Sequence, residues 1–342
     1  MRMSLRSIFF SGLVLALIIF SALSFSFPSA SGSYAGDKPL NTIAHEEIYG
    51  GIFFSLGDSR YSGRMNYNDT YEVNFDVSVM EADKEVKLAR LYVYWVWSQK
   101  EDVGVYPLME VKASAEKEVL SSVVTYTDTK GFVGKYDYFS GVNVYDCNLE
   151  IKKTVDDSYS VTVKNVDANG STFCVQGIGL LVIYECPGRE PYHNCQLIEY
   201  WVTEGCDMIY AEYGITPEMA TSKIYFDGEL DLKKVKRAYL ITVAPSGGYV
   251  SGGETAHNKL YFNEERGWLA NLPFLNQLLR LLFGYGGGVW SDVYIADNTV
   301  QIGVDQRDVT EYLKKSNNFA AILDNHDYMM VTNAVLVVEK KE

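Results

Sequence analysis

Val86-Lys87-Leu88-Ala89-Arg90-Leu91 returns in the second half of the chain as Val235-Lys236-Arg237-Ala238-Tyr239-Leu240. Upstream of these blocks, Phe75-Asp76 matches Phe226-Asp227. Downstream, Asp146-Cys147-Asn148 and Ile151-Lys152-Lys153 match Asp308-Val309-Thr310 and Leu313-Lys314-Lys315. Each half then closes on an apolar run that meets a glutamate, Leu180 to Tyr184 before Glu185 and Ala334 to Val338 before Glu339. Blocks repeated in the same order mark one structural unit used twice.

The blocks read as strands. Leu91-Tyr92-Val93-Tyr94-Trp95-Val96-Trp97 is aromatic and β-branched, and Tyr159, Val161 and Val163 alternate with polar residues. Such residues fit a pleated, half-buried surface. Turn signals separate the runs, among them Asp167-Ala168-Asn169-Gly170 and Ser246-Gly247-Gly248. Many short strands with regular turns predict an all-β chain of two related antiparallel, jelly-roll-like sandwiches, or one pseudo-symmetric double sandwich. The first spans 31–190 and the second 191–342. Trp268 to Phe283 departs from this pattern, with Leu272, Leu275, Leu278, Leu279 and Leu282 at helical spacing. A helix inserted at 266–284 is expected there, either capping the sandwich or offering an apolar face to a partner.

Beyond the repeat, several stretches resemble a domain family of unknown function found in exported proteins of methanogenic archaea. They are His45 to Ile52, Ala89 to Tyr92, Tyr145-Asp146, Gly179 to Glu185, Glu199 to Trp201 with Glu204 to Asp207, and Asp308 to Thr310. The resemblance implies a secreted or cell-surface β-protein, of the adhesin-like and envelope kind, with no established activity. Cys206 stands where that pattern has a small residue, and Cys147 where it has Val.

The N-terminus carries an export signature. Arg2 and Arg6 precede the apolar run Ile8 to Phe20, and small residues follow at Ser29-Ala30-Ser31. That order defines a signal peptide over 1–30. Its length also suits an uncleaved N-terminal anchor. Both place the remainder outside the cytoplasm. A net charge of −14 leaves nothing to neutralise phosphates and excludes nucleic acid as a partner. Tyr and Phe number 26 and 16 against 8 Pro, which favours packed strands over disorder.

Five cysteines in an exported chain predict disulfides rather than a metal site. The repeat aligns Cys147 with Val309 and Cys174 with Tyr328 to Met330, so both are expected inside and bonded to each other. Cys186 and Cys195 bracket a Pro- and Gly-rich loop and form the second expected pair. Cys206 is left over as a buried free thiol or an interchain crosslink.

Other residues offer chemistry. Asp324, Asn325 and Asp327 crowd oxygen ligands that would suit a structural calcium ion, the one cofactor considered. Tyr200 and Trp201 could present rings to a sugar, with Glu204 beside them, and Glu199 with Glu204 could form the carboxylate pair of a glycan-cleaving enzyme. Asn68-Asp69-Thr70 and Asn169-Gly170-Ser171 are glycosylation sequons at Asn68 and Asn169. Neither His45, His193, His257 nor His326 sits in a hydrolase or metalloprotease motif. The sequence therefore predicts an exported envelope protein with a structural or adhesive role and no catalysis. Its expected partners are other envelope proteins, further copies of itself, or glycans; a carbohydrate-binding module is the alternative.

Overall fold

The computed structural model describes residues 34–78, 84–113, 119–130, 138–148, 151, 158–186, 195–248, 257–265, 278 and 286–341. Apart from Leu278, which is helical and exposed, the helix expected at 266–284 lies outside these residues, as does the signal at 1–30.

The first half forms β1 (Asn41–Ser55), β2 (Arg64–Met65), β3 (Thr70–Asp76), β4 (Glu85–Lys100), β5 (Val103–Gly104), β6 (Met109–Ala113), β7 (Ser122–Thr127), β8 (Phe139–Asp146), β9 (Ser158–Asn165) and β10 (Thr172–Glu185). The second forms β11 (Gln196–Ile209), β12 (Thr221–Glu229), β13 (Val235–Pro245), β14 (Asn258–Phe262), β15 (Gly288–Ser291), β16 (Ile302–Asp308), β17 (Ser316–Asp324) and β18 (Met329–Lys340). All pairings are antiparallel.

The repeat seen in the sequence is a repeat of topology. In the first half β1, β10, β4 and β8 lie side by side, and in the second β11, β18, β13 and β16 do so in the same order. The smaller sheets correspond too, β3-β9-β6 with β12-β17-β14. The matched Asp-x-Asn/Thr blocks explain why these residues recur. Asp146 Oδ1 accepts from the Asn148 N–H at 3.0 Å, and Asp308 Oδ1 from the Thr310 N–H at 2.9 Å. The Asn148 side chain then accepts from the Ala89 N–H, as the Thr310 hydroxyl does from Ala238 at 2.7 Å. The middle residue returns its own N–H to the same strand, Cys147 to the Ala89 carbonyl and Val309 to that of Ala238. A short aspartate turn thus fastens each half to one strand of the large sheet.

The large sheet has no break between the two halves near residue 190. β1 pairs with β11, Ile48 facing Ile198 and Gly50 facing Gln196, so both halves share one continuous eleven-stranded sheet. That sheet curls until its halves face each other. Tyr94 on β4 donates to Asn333 on β18 at 2.8 Å, although three strands separate β4 from β18 in the sheet order. Gly177 on β10 leaves so little room that a Cβ would stand 2.5 Å from Ile302 Cδ1.

Three apolar layers result. Val73, Phe75 and Val161 of the three-stranded sheet pack on Leu91, Val93 and Val182. Ile224, Phe262 and Ile322 of the four-stranded sheet pack on Leu240, Leu336 and Val338. Between them lies a third layer built from both halves of the curled sheet, including Tyr92, Val144, Leu181, Val202, Val243 and Val335. Covering on both faces accounts for the nearly unbroken burial of β10 and β11, including the polar residues Glu199, Thr203, Glu204 and Asp207 of β11.

Candidate functional site

One residue breaks the burial of the middle of β4. From Leu91 to Gln99, Trp97 alone is exposed, at 44 %. Both neighbouring strands skip at this point: β8 pairs Trp95 with Gly141 and then Ser98 with Phe139, while β10 pairs Val96 with Cys174 and then Gln99 with Thr172. Trp97 is therefore the extra residue of a bulge on both sides, with φ at 56°. A bulky side chain in the left-handed region is strained, at a cost of about 1–3 kcal/mol. Bulges of this kind re-aim a side chain and gather at sheet ends and binding sites.

The extruded indole meets Tyr138 edge to face at 5.9 Å, and beside it Tyr106 lies 4.9 Å from Phe139. The surface continues through Val103, Tyr106, Leu108 and Val166, all exposed. Two backbone bonds tie these segments together, from the Val105 N–H to the Ser98 carbonyl and from the Val166 N–H to that of Leu108. Under the bulge, Ser98, Gln99 and Ser140 each bury an oxygen with no hydrogen-bond partner among the described residues. This end of the first half thus combines exposed apolar rings with hydrogen-bonding capacity that the described residues do not use. The aromatic run was legible in the sequence; the extrusion of its last ring was not, because strand pairing decides it.

Tyr200, Trp201 and Glu204, the candidates for a sugar site, are packed in the interior, each at most 2 % exposed. Trp201 stacks on His45 at 4.2 Å and donates to the Asp227 carbonyl at 2.7 Å, so its ring is spent on packing. Tyr200 belongs to the layer between the sheet halves, where burial pushes its hydroxyl up to about 12. Glu204 accepts from Tyr92 at 2.8 Å in the same layer, and burial raises its carboxyl. Glu199 faces the other way, toward His45 at 2.9 Å and Lys340 at 2.7 Å. Alternation along β11 puts the two glutamates on opposite faces, so they form no carboxylate pair.

Asp324 and Asp327 do come together, but both carboxyls are engaged by the surrounding chain. Asp324 accepts from the backbone N–H groups of Ala211 and Asp327, and Asp327 accepts from Gly248 at 2.6 Å and Asn258 at 2.8 Å. Burial pushes their carboxyls up to about 7 and about 6. Asn325 lies half-buried between them. These aspartates lock a turn in the way side chains of this type commonly do.

Cys186 and Cys195 are bonded as expected. Cys147 and Cys174 are both buried but not bonded. Cys147 is tied to Ala89 and Cys174 lies opposite Val96, positions that stand roughly 23 Å apart along β4 at 3.3 Å per residue. Sharing a core with the same strand did not make them neighbours. Cys206 is a buried free thiol, 3.9 Å from Met330 Sδ. Asn68 and Asn169 both occupy exposed turns.

A different acidic group, unremarked in the sequence, joins Asp37, Asp128 and Asp207. The Lys130 ammonium occupies its centre, 2.7 Å from Asp128, 3.6 Å from Asp207 and in contact with Asp37.

Comparison with known proteins adds a family. Among solved structures, the chain is similar to the major capsid protein P2 of bacteriophage PM2 at 10 % identity and a TM-score of 0.20, covering 85 % of this chain and 98 % of that one. It is also similar to the VP2 subviral particle of infectious bursal disease virus at 10 % identity and a TM-score of 0.23, covering 92 % and 76 %. No curated protein matches the sequence. A family model described as a protein of unknown function, DUF3344, matches residues 33–339, and the chain belongs to that family.

Proposed function

We propose that this chain is an exported, non-catalytic protein of the cell surface that serves a structural or adhesive role through the Trp97 face. The supporting observation is the bulge that extrudes Trp97 from an otherwise buried strand at a cost in strain. Strain of that kind persists where something other than folding is gained. The occupant we assign is a neighbouring copy of the chain in an envelope layer. The mixture of rings and aliphatic side chains at Val103, Tyr106 and Leu108 resembles the centre of a protein interface more than its rim. Export through residues 1–30 and an origin among methanogenic archaea belong to the same reading.

A second reading is a glycan ligand. Trp97 and Tyr106 both present exposed ring surface, and sugar rings stack on such surfaces. One variant separates the two. Trp97→Ala should lower the sedimentation-measured self-association of the mature protein, and a wild type that stays monomeric at high concentration overturns the assembly reading. Glycan-array binding by the wild type, lost in Trp97→Ala, would establish the second in its place.

A further inference from the structure

The Lys130 cluster has the composition of a reaction centre. Lys130, Asp128 and Asp207 have side chains only 3 %, 1 % and 0 % exposed. Lys130 Nζ donates to the Ala35 carbonyl at 3.0 Å and is 2.7 Å from Asp128 Oδ2 and 3.6 Å from Asp207 Oδ1. The Lys38 N–H lies 3.4 Å from that same Asp207 oxygen, and Asp207 Oδ2 has no hydrogen-bond partner among the described residues. An amine, a carboxyl fully removed from water, a second carboxylate on the amine and an N–H on the carboxyl oxygen are the parts that amide formation needs.

We infer that Lys130 and Asp207 join in an intramolecular isopeptide bond, with Asp128 as the proton acceptor. Asp128 takes one proton from the Lys130 ammonium. The freed nitrogen lone pair then forms a bond to Cγ of the Asp207 carboxylic acid, and the Lys38 N–H supports the oxygen that gains charge. Asp128 returns its proton to the departing hydroxyl, which leaves as water with the electrons of the broken C–O bond. A second nitrogen proton passes to Asp128, leaving a neutral amide. No oxidant or other reactant is required.

Each assignment rests on the local surroundings. Burial pushes the Asp207 carboxyl up to about 6, so an acid form is within reach. Burial disfavours charge on Lys130, while Asp128 and Asp37 hold its proton in place, so a base in contact is needed before it can attack. Asp37 is 60 % exposed, and its hydrated carboxylate is the poorer electrophile. Asp128, two residues from Lys130, would close only a small ring. A bond to Asp207 instead joins the chain after β7 to β11, sealing the curl of the large sheet where those strands meet.

Mass spectrometry of the purified, reduced full-length protein tests this. The expected result is an intact mass one water below that of the sequence, counted from the N-terminus found, and a branched peptide linking Lys130 to Asp207 after digestion. Lys130→Arg keeps the charge and should restore the full mass. Asp128→Asn keeps both reacting groups and should also leave them unjoined; complete joining there overturns the role given to Asp128. A wild type of full mass whose digest holds only linear peptides overturns the bond itself, including the case in which a metal ion occupies the cluster. The wild-type measurement is made on denatured protein, so no variant has to fold for it to be decisive.

Discussion

Trp97 and Asp324 show how a single side chain can carry a cost for different reasons. Trp97 holds its backbone in a region that suits glycine, so Trp97→Gly should relieve strain. Urea denaturation should find that variant no less stable than the wild type, and up to about 1 kcal/mol more so, even as the surface contact is lost. An ordinary interior tryptophan would instead cost several kcal/mol on truncation. Asp324 pays through its charge. Its folded carboxyl is pushed up to about 7 and that of Asp327 to about 6, against about 4 for an unfolded aspartate. Between pH 4 and 7 the folded state therefore binds more protons than the unfolded one, and stability falls as pH rises through that window. Thermal melts should move upward on acidification from pH 7 to 5, by the equivalent of a few kcal/mol, order of magnitude. Asp324→Asn, which keeps one acceptor for a backbone N–H, should flatten the slope. Below pH 4 the trend reverses, because hydrogen bonds hold Asp58, Asp167 and Asp297 below the usual carboxylate range.

At the scale of elements, what the sequence made legible was what alternation and local turns control. The Tyr159, Val161, Val163 alternation became β9 with every one of those residues at 0 % exposure, and the Asp-x-Asn/Thr blocks became equivalent turns. Position along a strand was harder to read. Cys147 and Cys174 belong to the same half and touch the same strand, but at opposite ends of it, and no aligned block encodes that separation. Alkylation of the denatured, unreduced protein should label three thiols, and reduction should release two more. Cys147→Val places the residue of the matching block in the same kind of core and should change stability by less than about 1.5 kcal/mol. The Cys186–Cys195 bond closes a separation of 9 residues. Replacing both by Ser should cost about 2.5 kcal/mol in the chain-entropy account, visible as a lower denaturation midpoint under oxidising conditions only. Trp97 and Lys130 escaped sequence reading for a related reason. The bulge depends on two neighbouring strands, and the lysine cluster on segments that meet only when the sheet curls.

For the whole molecule, the shared sheet decides how stability is distributed. Splitting the chain near residue 190 would bare the β1 edge and the layer that contains Tyr92, Leu181 and Val335. Residues 31–190 produced alone should associate or aggregate on size exclusion rather than run as a folded monomer. The intact protein should melt in one calorimetric transition, since neither half has a complete core without the other. The junction that causes this also has a symmetry of its own. Glu46 faces Tyr200, Ile48 faces Ile198 and Gly50 faces Gln196, so corresponding strands meet antiparallel through like edges. That is the contact two free copies of one repeat would make in an isologous dimer, where residue i meets j and j meets i across a two-fold axis. The chain has the arrangement of such a dimer within one polypeptide, and a repeat expressed with its edge strand intact should find a second copy of itself by that edge.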